Sequence, residues 1–577
     1  GTAARVLDYA TVWVHEDGSG RMLEHEILHM QSNEAIAEHA EQKLPRGKLL
    51  RIRTIKANGQ TFEPEIVADK PTATMPHLDV GDYIETETLY DIPSDGRGGK
   101  SFMGPRWFFR EEKIDYHRSE YVIVSPKSRP LVIETTGAVP PPEKTESGPF
   151  VIHRWRVDKS PALPNERFGA PVSEFLPSVR AGWGISQDVM LSLMLDQSTR
   201  LTPRDPRLVR IAKTIATVGA RPDEQDSELA KTAPIERAKR IYRWVLDNVE
   251  TGREGDPRKA IVGKSGNRLE AFLYLVRLAG VDARHAMVQD RLRPSAIGPI
   301  SEAELFTEVA VAIPDAKGGE VWTVVDDKYA PFGYMPSSMR GQPAVILRPD
   351  LPRVKTGSSG PPDGVSHTGK VTLNADGSGK LSIKQSYSGR LAILLREQVQ
   401  KIADDERLKV AIESQLLPEG LPGARVISVT VKNLEDLDAP LELELELEVT
   451  ALARRDGAVL VMAPPFASGV RLSALAALDK RETPLMLPPA LALRLEVKLS
   501  VELPKGAKLE GTLSPLTGDN DGRSYKVADR VEGSSVLLER VIDIPAGRVQ
   551  PSDYAAFVKF ARAADEAFHR DLTVRLP

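Results

Sequence analysis

Two histidines in the pentapeptide His25-Glu26-Ile27-Leu28-His29 have the residue types and spacing of a zinc-peptidase motif. In that motif, residues i and i+4 share one face of a helix, both imidazoles bind one metal ion, and the glutamate acts as the base. Here the pentapeptide follows the turn Asp17-Gly18-Ser19-Gly20 within an alternating apolar and polar pattern, which predicts a β-hairpin. On a strand the two histidines would lie about 13 Å apart, at roughly 3.3 Å per residue, too far to share a zinc ion. His25 and His29 are therefore weak metal candidates. They could bind one metal ion together only if residues 23–43 formed a helix.

Residues 264–270 are the second candidate for chemistry, because they open an apolar helix. Asn267 is a preferred N-cap residue, and Glu270 three positions later can complete a capping box. Apolar residues then recur at helical spacing until Gly280 ends the helix. Arg268 is therefore expected in the first turn of a buried helix, where thiol enzymes place a cysteine because the helix N-terminus stabilises a thiolate.

Four segments of the chain follow one another around this turn. They are Ile241-Tyr242-Arg243-Trp244-Val245, Gly266-Asn267-Arg268, Leu305-Phe306-Thr307-Glu308-Val309 and Val325-Asp326-Asp327-Lys328-Tyr329-Ala330-Pro331-Phe332-Gly333. Their order resembles the transglutaminase-like core of a family of bacterial envelope proteins, in which a Gly-Asp-Cys turn precedes a strand with a histidine and a strand with an aspartate. Residues 79–85 are similar to the strand entry of the uncharacterised β domain that usually precedes that core. The resemblance covers most of residues 5–345.

The resemblance places Arg268 at the position of the family's cysteine, Glu308 at that of its histidine, and Asp326 or Asp327 near its aspartate. A guanidinium cannot attack a carbonyl group, and an ionised carboxylate has only acceptor oxygens, so thiol–imidazole catalysis is excluded at these positions. We expect Arg268 and Glu308 to form an ion pair that ties the helix to the sheet, with an aspartate beside it. The alternative is that they are unrelated surface charges at the rim of an old cleft.

Five residues make up the predicted binding site. They are Arg268, Glu308, Asp326, Asn267 and Trp244. A relocated serine nucleophile is a further alternative, with Ser265 three residues before Arg268. However, the nearest histidine, His285, lies on a different predicted strand, and a hydroxyl needs an oriented base. His285 is therefore interpreted as structural.

The totals exclude several classes of function. The chain has no cysteine among its 577 residues, which excludes disulfides, thiolate metal sites and cysteine nucleophiles. Its 77 Lys and Arg residues face 81 Asp and Glu residues, a net charge of -4 with no long basic run, so no nucleic-acid partner is expected. No apolar run approaches the roughly 20 residues that cross a bilayer, so membrane insertion is not expected. The first four residues lead into a strand pattern rather than an export signal.

The chain is too long for one hydrophobic core, and the fold class predicted for it is multidomain α+β. Strand patterns separated by Pro- and Gly-rich turns predict an N-terminal β-sandwich over residues 1–175. Amphipathic helices followed by short strands predict a papain-like, transglutaminase-like core over residues 176–350. The Pro- and Gly-rich residues 351–369 are predicted to be a linker.

A second β-rich domain is predicted over residues 370–577. Its turn, Asp376-Gly377-Ser378-Gly379, repeats the turn at residues 17–20, which indicates a second sandwich of related design. Residues 441–449 alternate leucine with glutamate and so predict a strand with one buried and one solvated face. A terminal helix over residues 552–568 closes this domain.

The function that these observations favour is a non-catalytic binding or scaffolding module that recognises a protein or peptide and needs no cofactor. The resemblance implies a bacterial periplasmic or envelope location. Two alternatives stay open. One is a hydrolase, either a metal-dependent peptidase acting through His25 and His29 or a residual amidase. The other is an architectural subunit of a cell-surface assembly.

Overall fold

The computed structural model of the chain describes residues 2–66, 70–94, 100–163, 166–198, 203–358, 360, 362–417, 420–467 and 471–577. The chain is a β-rich mixture of helices and strands with two compact units. The first unit contains Gly1–Met194 and Pro294–Leu305, and the second contains Leu195–Arg293 and Phe306–Pro577. The prediction of a multidomain chain with both helices and strands is confirmed at this level. The finer boundaries near residues 175, 350 and 370 stay predictions.

The strands are numbered in chain order. Those of the first unit are β1 (Ala3–Val14), β2 (Gly20–Met30), β3 (Glu41–Lys43), β4 (Lys48–Ile55), β5 (Thr61–Phe62), β6 (Glu65–Ile66), β7 (Thr72–Thr74), β8 (Tyr83–Ile92), β9 (Phe102–Met103), β10 (Trp107–Phe108), β11 (Asp115–Pro126), β12 (Val132–Thr136), β13 (Glu143–Ser147), β14 (Phe150–Ser160) and β15 (Ser178–Trp183). Those of the second unit are β16 (Glu250–Thr251), β17 (Ser265–Gly266), β18 (Arg284–Gln289), β19 (Phe306–Pro314), β20 (Glu320–Thr323), β21 (Pro343–Ile346), β22 (Arg353–Lys355), β23 (Gly364–Leu373), β24 (Gly379–Ser388), β25 (Ala424–Lys432), β26 (Leu441–Val449), β27 (Arg454–Asp456), β28 (Val459–Met462), β29 (Leu485–Leu487), β30 (Leu493–Glu502), β31 (Lys508–Leu509), β32 (Leu516–Asn520), β33 (Arg523–Val527), β34 (Arg530–Glu532), β35 (Ser535–Ile544), β36 (Gly547–Val549) and β37 (Leu572–Arg575).

The α-helices are numbered in the same way. They are α1 (Asn33–His39), α2 (Gln187–Ser198), α3 (Pro206–Ala216), α4 (Gln225–Lys231), α5 (Pro234–Asn248), α6 (Pro257–Gly263), α7 (Arg268–Leu278), α8 (Pro299–Ala303), α9 (Gly389–Gln400), α10 (Asp405–Ala411) and α11 (Tyr554–Phe568). None of these helices, within the described residues, is both long and apolar enough to cross a membrane.

Two sheets of the first unit share one hydrophobic core. The larger sheet has the strand order β13-β14-β11-β1-β2-β8-β4-β5, and the smaller has the order β10-β15-β12, with β9 also paired to β15. Successive side chains on a strand face opposite sides of a sheet, so alternate residues of β1 and β11 point into this core. Its buried residues include Val12, Tyr121, Ile123 and Trp155 of the larger sheet and Trp107, Val179 and Trp183 of the smaller one.

The same type of turn connects the first two strands of the main sheet in each unit, β1 to β2 and β23 to β24. Oδ1 of Asp17 accepts hydrogen bonds from the amide and the hydroxyl of Ser19, at 2.9 and 2.6 Å. Oδ1 of Asp376 accepts the same two bonds from Ser378, at 2.9 and 2.7 Å. The repeated Asp-Gly-Ser-Gly sequence therefore forms the same structure twice.

The strands that follow the two turns also pair in the same order. When short strands are left out, the first unit has the order β14-β11-β1-β2-β8-β4 and the second has β35-β30-β23-β24-β26-β25. Counted in chain order within each set, the first strand pairs in parallel with the fifth: β1 with β11, and β23 with β30. The other neighbours in each set are antiparallel. Each set also places a helix after its second strand, α1 in one and α9 in the other. The related design that the sequence indicated therefore extends to the strand topology.

The α/β part of the second unit combines α3, α5 and α7 with the antiparallel sheet β20-β19-β18-β21-β22. Ile241 and Val245 of α5, Phe272 of α7 and Val311 of β19 are buried in one core. The amphipathic helices predicted within residues 176–350 include α3 and α5.

The predicted linker is more structured than its composition indicated. Strand β22 lies inside residues 351–369 and pairs with β21. The Thr356 hydroxyl is buried and donates to the Met339 carbonyl oxygen at 2.5 Å. Residues 359 and 361 of this stretch lie outside the described residues. Pro and Gly residues at both ends of β22 account for the sequence pattern, because they mark turns as well as linkers.

Candidate functional site

The predicted site residues Asn267 and Arg268 lie at the start of α7. Oδ1 of Asn267 accepts a hydrogen bond from the Glu270 amide at 3.1 Å, so Asn267 is the N-cap that the sequence predicted. The capping box is not completed. The Asn267 amide donates to the Glu254 carbonyl oxygen at 2.9 Å, and the Glu270 carboxylate turns instead to His285.

Arg268 is anchored to the backbone. Its Nε donates to the Val249 carbonyl oxygen at 2.6 Å, and its Nη1 donates to the Asp326 carbonyl oxygen at 2.6 Å. The first contact ties α7 to the end of α5, and the second ties it to the segment that follows β20. The side chain in the first turn of α7 is thus a cation that cross-links three segments of the second unit.

The predicted ion pair between Arg268 and Glu308 is wrong. Among the residues that the structure describes, Arg268 has no carboxylate partner within ion-pair distance, because its guanidinium is directed at carbonyl oxygens. Glu308 lies on β19 opposite Val288 of β18, and its carboxylate accepts a hydrogen bond from the Thr307 hydroxyl at 3.1 Å. The structure brings Arg268 to Asp326 through the backbone and does not pair it with Glu308.

The side chains of the remaining predicted residues, Asp326 and Trp244, form no hydrogen bond with Arg268 in the described part of the chain. Asp326 is exposed, and its backbone rather than its carboxylate meets Arg268. The carboxyl of the adjacent Asp327 has a raised pKa, caused first by burial and then by the charge of Asp326. Trp244 lies on α5, where it is partly buried against the core of the second unit.

A histidine–carboxylate pair at this site escaped the sequence analysis. Nε2 of His285 on β18 lies 2.9 Å from Oε1 of Glu270 in the first turn of α7. Because an ionised carboxylate only accepts, Nε2 is the donor. His285 is buried, and its Nδ1 has no hydrogen-bond partner among the residues that the structure describes. The interpretation of His285 as structural agrees with this geometry, because the pair fastens the helix to the sheet.

This pair predicts a pH-dependent contribution to stability. The hydrogen bond from His285, with the positive charges of His285 and Arg277, holds the pKa of the Glu270 carboxyl below its usual value of 4.5. A carboxyl with a lowered folded-state pKa stabilises the fold above its unfolded pKa and loses that contribution as the pH falls through the folded value. We expect Glu270→Gln to lower the free energy of unfolding by about 1–2 kcal/mol at pH 7, and the difference from wild type to shrink below about pH 4.5.

Urea denaturation at a series of pH values measures this difference. Glu250→Gln is the control, because Glu250 is exposed at the nearby strand β16 and its loss should leave the curve unchanged. A Glu270→Gln difference that stays constant from pH 7 to pH 3 would contradict the expected linkage.

Replacement of Arg268 is expected to have a second effect on stability. Arg268→Ala is expected to lower the free energy of unfolding by about 1–3 kcal/mol, because two carbonyl oxygens lose a charged donor. Glu308→Ala should cost less than about 1 kcal/mol, because the described residues include no cationic partner for Glu308, whose carboxylate contacts the Thr307 hydroxyl. Hydrogen exchange followed by mass spectrometry on peptides from α7 measures both. Equal losses in the two variants would favour the ion pair that the sequence suggested.

His25 and His29 lie on strand β2, as the hairpin pattern predicted. His25 Nε2 contacts Oε1 of Glu85 at 2.9 Å, and the His29 ring stacks on that of Tyr83 at 4.6 Å. The zinc-peptidase geometry needs a helix, and the structure does not provide one here. In the part of the chain that the structure describes, no group of three or more His, Asp and Glu side chains is arranged to hold a metal ion.

Comparisons with known proteins bear on the fold. Residues 458–574 match the model of a domain of unknown function, DUF3858. A search of curated proteins gives no match. A crystal structure described as that of a putative protease from Parabacteroides distasonis aligns with a TM-score of 0.60 and 14% sequence identity, covering 100% of this chain and 99% of that chain. At this identity the similarity shows the fold alone, and it extends over the full length of both chains.

Proposed function

We propose that this protein is a non-catalytic, transglutaminase-like protein of the bacterial periplasm or cell envelope, and that it binds or scaffolds a protein or peptide. The observation that carries the proposal is Arg268 in the first turn of α7, with its guanidinium held by two backbone carbonyl oxygens. A guanidinium is protonated at all physiological pH values and has no lone pair with which to attack an acyl group.

Two further observations support this reading. The chain has no cysteine that could take over the role of nucleophile. The histidine nearest in sequence to the α7 turn, His285, is engaged with Glu270. An acyl-transfer reaction would need a nucleophile within reach of an oriented base.

Restoring the lost groups tests the transglutaminase-like assignment. In Arg268→Cys the new thiol lies at a helix N-terminus, and in Arg268→Cys/Glu308→His an imidazole is added at the matching strand position. If residues 268 and 308 correspond to the catalytic cysteine and histidine of the transglutaminase-like family, the thiol pKa of the double variant should lie about one unit or more below that of the single variant. The rate of alkylation by iodoacetamide as a function of pH measures this. Identical pH profiles would remove the basis for the assignment.

Peptide selection tests the binding role. A displayed random-peptide library is selected on the wild-type protein, and the enriched peptides are then titrated against Arg268→Ala, Glu308→Ala and Trp244→Ala. We expect at least one variant to weaken binding tenfold or more. Glu250→Gln serves as the control outside the predicted site. Failure to enrich any sequence, or enrichment of peptides that bind all three variants as well as wild type, would argue against recognition at this turn.

A further inference from the structure

A cavity of about 220 Å³ lies in the second unit, between the segment that follows β20 and helix α9. Its lining includes the apolar side chains of Phe332, Tyr334, Met335 and Leu437. Ala392 and Arg396 line it from α9. Drug-sized ligands occupy roughly 300–1,000 Å³, so this cavity suits a smaller group, of the size of one amino-acid residue.

Arg396 is the unusual residue of this cavity. Its side chain is 1% exposed, and it has no carboxylate partner within ion-pair distance among the described residues. Nη2 donates to the carbonyl oxygens of Asn433, Asp436 and Ala439, at 3.1, 2.8 and 2.6 Å. Nε is buried and has no acceptor in the described part of the chain. A buried charge is costly unless it is paired, and the carboxylates of Asp436 and Glu435 act on Arg396 only from beyond ion-pair distance, so an anion in direct contact would stabilise this guanidinium further.

The other charges around the cavity have partners of opposite sign. Asp438 contacts Nζ of Lys239 at 2.6 Å. Arg340 lies 3.8 Å from Asp363, and its Nε donates to the Met335 carbonyl oxygen at 2.7 Å. The charge that Arg396 brings to the cavity is therefore not balanced by these groups.

Helix α9 adds to the positive potential. It has twelve residues, and Ser388 and Gly389 at its N-terminus also line the cavity. A helix N-terminus carries a partial positive charge that favours anions. The Arg390 amide already donates to Oδ1 of Asp363 at 2.8 Å, so the ligand site is at Arg396 rather than at the first turn.

We propose that this cavity binds a carboxylate attached to a compact apolar group. The carboxylate accepts a hydrogen bond from the guanidinium of Arg396, and the apolar group packs on Phe332, Met335 and Leu437. The ligand is either a free small acid or the last residue of a peptide chain. The peptide source rests on the proposed function, whereas the site itself does not.

Matched acids and amides test the site. N-acetyl-leucine and N-acetyl-leucinamide differ only in the carboxylate, and a short peptide that ends in leucine is compared with its amidated form. Ligand-observed NMR titration with the whole chain should give Kd values at least tenfold lower for each acid that binds than for its amide. Binding of the free acid without the peptide identifies a small acid as the ligand, and binding of the peptide acid identifies a chain end. Equal Kd values for acid and amide, or no binding by either acid, would overturn the proposal.

Variants locate the binding. Arg396→Met removes the guanidinium but also frees three carbonyl oxygens, so it is accompanied by a variant that leaves Arg396 in place. Ala392→Leu fills the cavity from the buried face of α9 and should abolish acid binding. Ala403→Leu, the same change at an exposed position just beyond α9, should leave binding unchanged. Undiminished acid binding in Ala392→Leu would place the ligand elsewhere and overturn the assignment, whatever the outcome of the peptide selection at Arg268.

Discussion

Asp529→Ala is expected to lower the free energy of unfolding of the second unit by about 3–5 kcal/mol, because it leaves a buried guanidinium without its carboxylate. Asp529 and Arg540 are both fully buried, and Nη2 of Arg540 lies 2.7 Å from Oδ2 of Asp529. Nη2 of Arg570 contacts the same oxygen at 3.3 Å. Arg540 also donates to the carbonyl oxygens of Phe568 and Arg570, at the end of α11.

A neighbouring surface pair provides the control for Asp529. Arg530 and Glu539 form an ion pair at 2.8 Å near the same strands, but their side chains are 50% and 35% exposed. Glu539→Ala should therefore cost less than about 1 kcal/mol. Calorimetry and hydrogen exchange on peptides from β35 and α11 measure both variants. Equal losses would contradict the idea that desolvation, rather than ion pairing as such, makes Asp529 important.

The location of this pair gives it a role in the fold. The four residues of this network are Asp529, Arg540, Phe568 and Arg570. They all lie within residues 458–574, the stretch that matches the domain of unknown function. The terminal helix buries Tyr554, Phe557 and Phe568, and the Arg540 contacts fix its last turn. Apolar packing is non-directional, so a polar network of this kind is what specifies the position of the helix end.

Local sequence signals predicted the elements of this chain well. The Asp-Gly-Ser-Gly turns were informative because the turn is closed by hydrogen bonds between residues two apart, which the sequence itself supplies. The same turn decided that His25 and His29 lie on a strand. Pro- and Gly-rich composition was a weaker guide, since it described residues 351–369 as a linker although they contain β22.

Side-chain partners were the part that sequence reasoning missed. The resemblance suggested which positions should face each other, but a long guanidinium can reach carbonyl oxygens as well as carboxylates. Arg268 therefore donates hydrogen bonds to the carbonyl oxygens of Val249 and Asp326 and does not pair with Glu308. Nothing in the order of residues along the chain distinguishes these outcomes.

The spacing of residues along the sequence could have predicted the pair of Glu270 and His285. From Glu270 to the helix end at Gly280, the chain advances about 15 Å at roughly 1.5 Å per residue. From Gly280 to His285 a returning strand covers about 16 Å at roughly 3.3 Å per residue. The two lengths match, so a helix followed by an antiparallel return brings these residues side by side.

Gly266→Ala is the second substitution with a large expected effect, because Gly266 sets the path of the turn that leads into α7. Its φ is 156°, where side chains are disfavoured. A Cβ at this position would lie 2.5 Å from the Cβ of Ala260 and 2.8 Å from the Glu254 carbonyl oxygen. Strain and crowding together are expected to cost about 2–4 kcal/mol.

The cost of Gly266→Ala should be concentrated at the site. The Glu254 carbonyl oxygen accepts the Asn267 amide at 2.9 Å, so a shift of Glu254 moves the N-cap and with it Arg268. Gly263→Ala is the matched control, since nothing lies within 4 Å of a Cβ there and alanine favours the end of α6. Hydrogen exchange should therefore speed up in α7 of Gly266→Ala and stay unchanged or slow down in Gly263→Ala. Equal behaviour of the two variants would mean that the turn tolerates a side chain, and that Arg268 is not positioned by the close contact between Gly266 and Glu254.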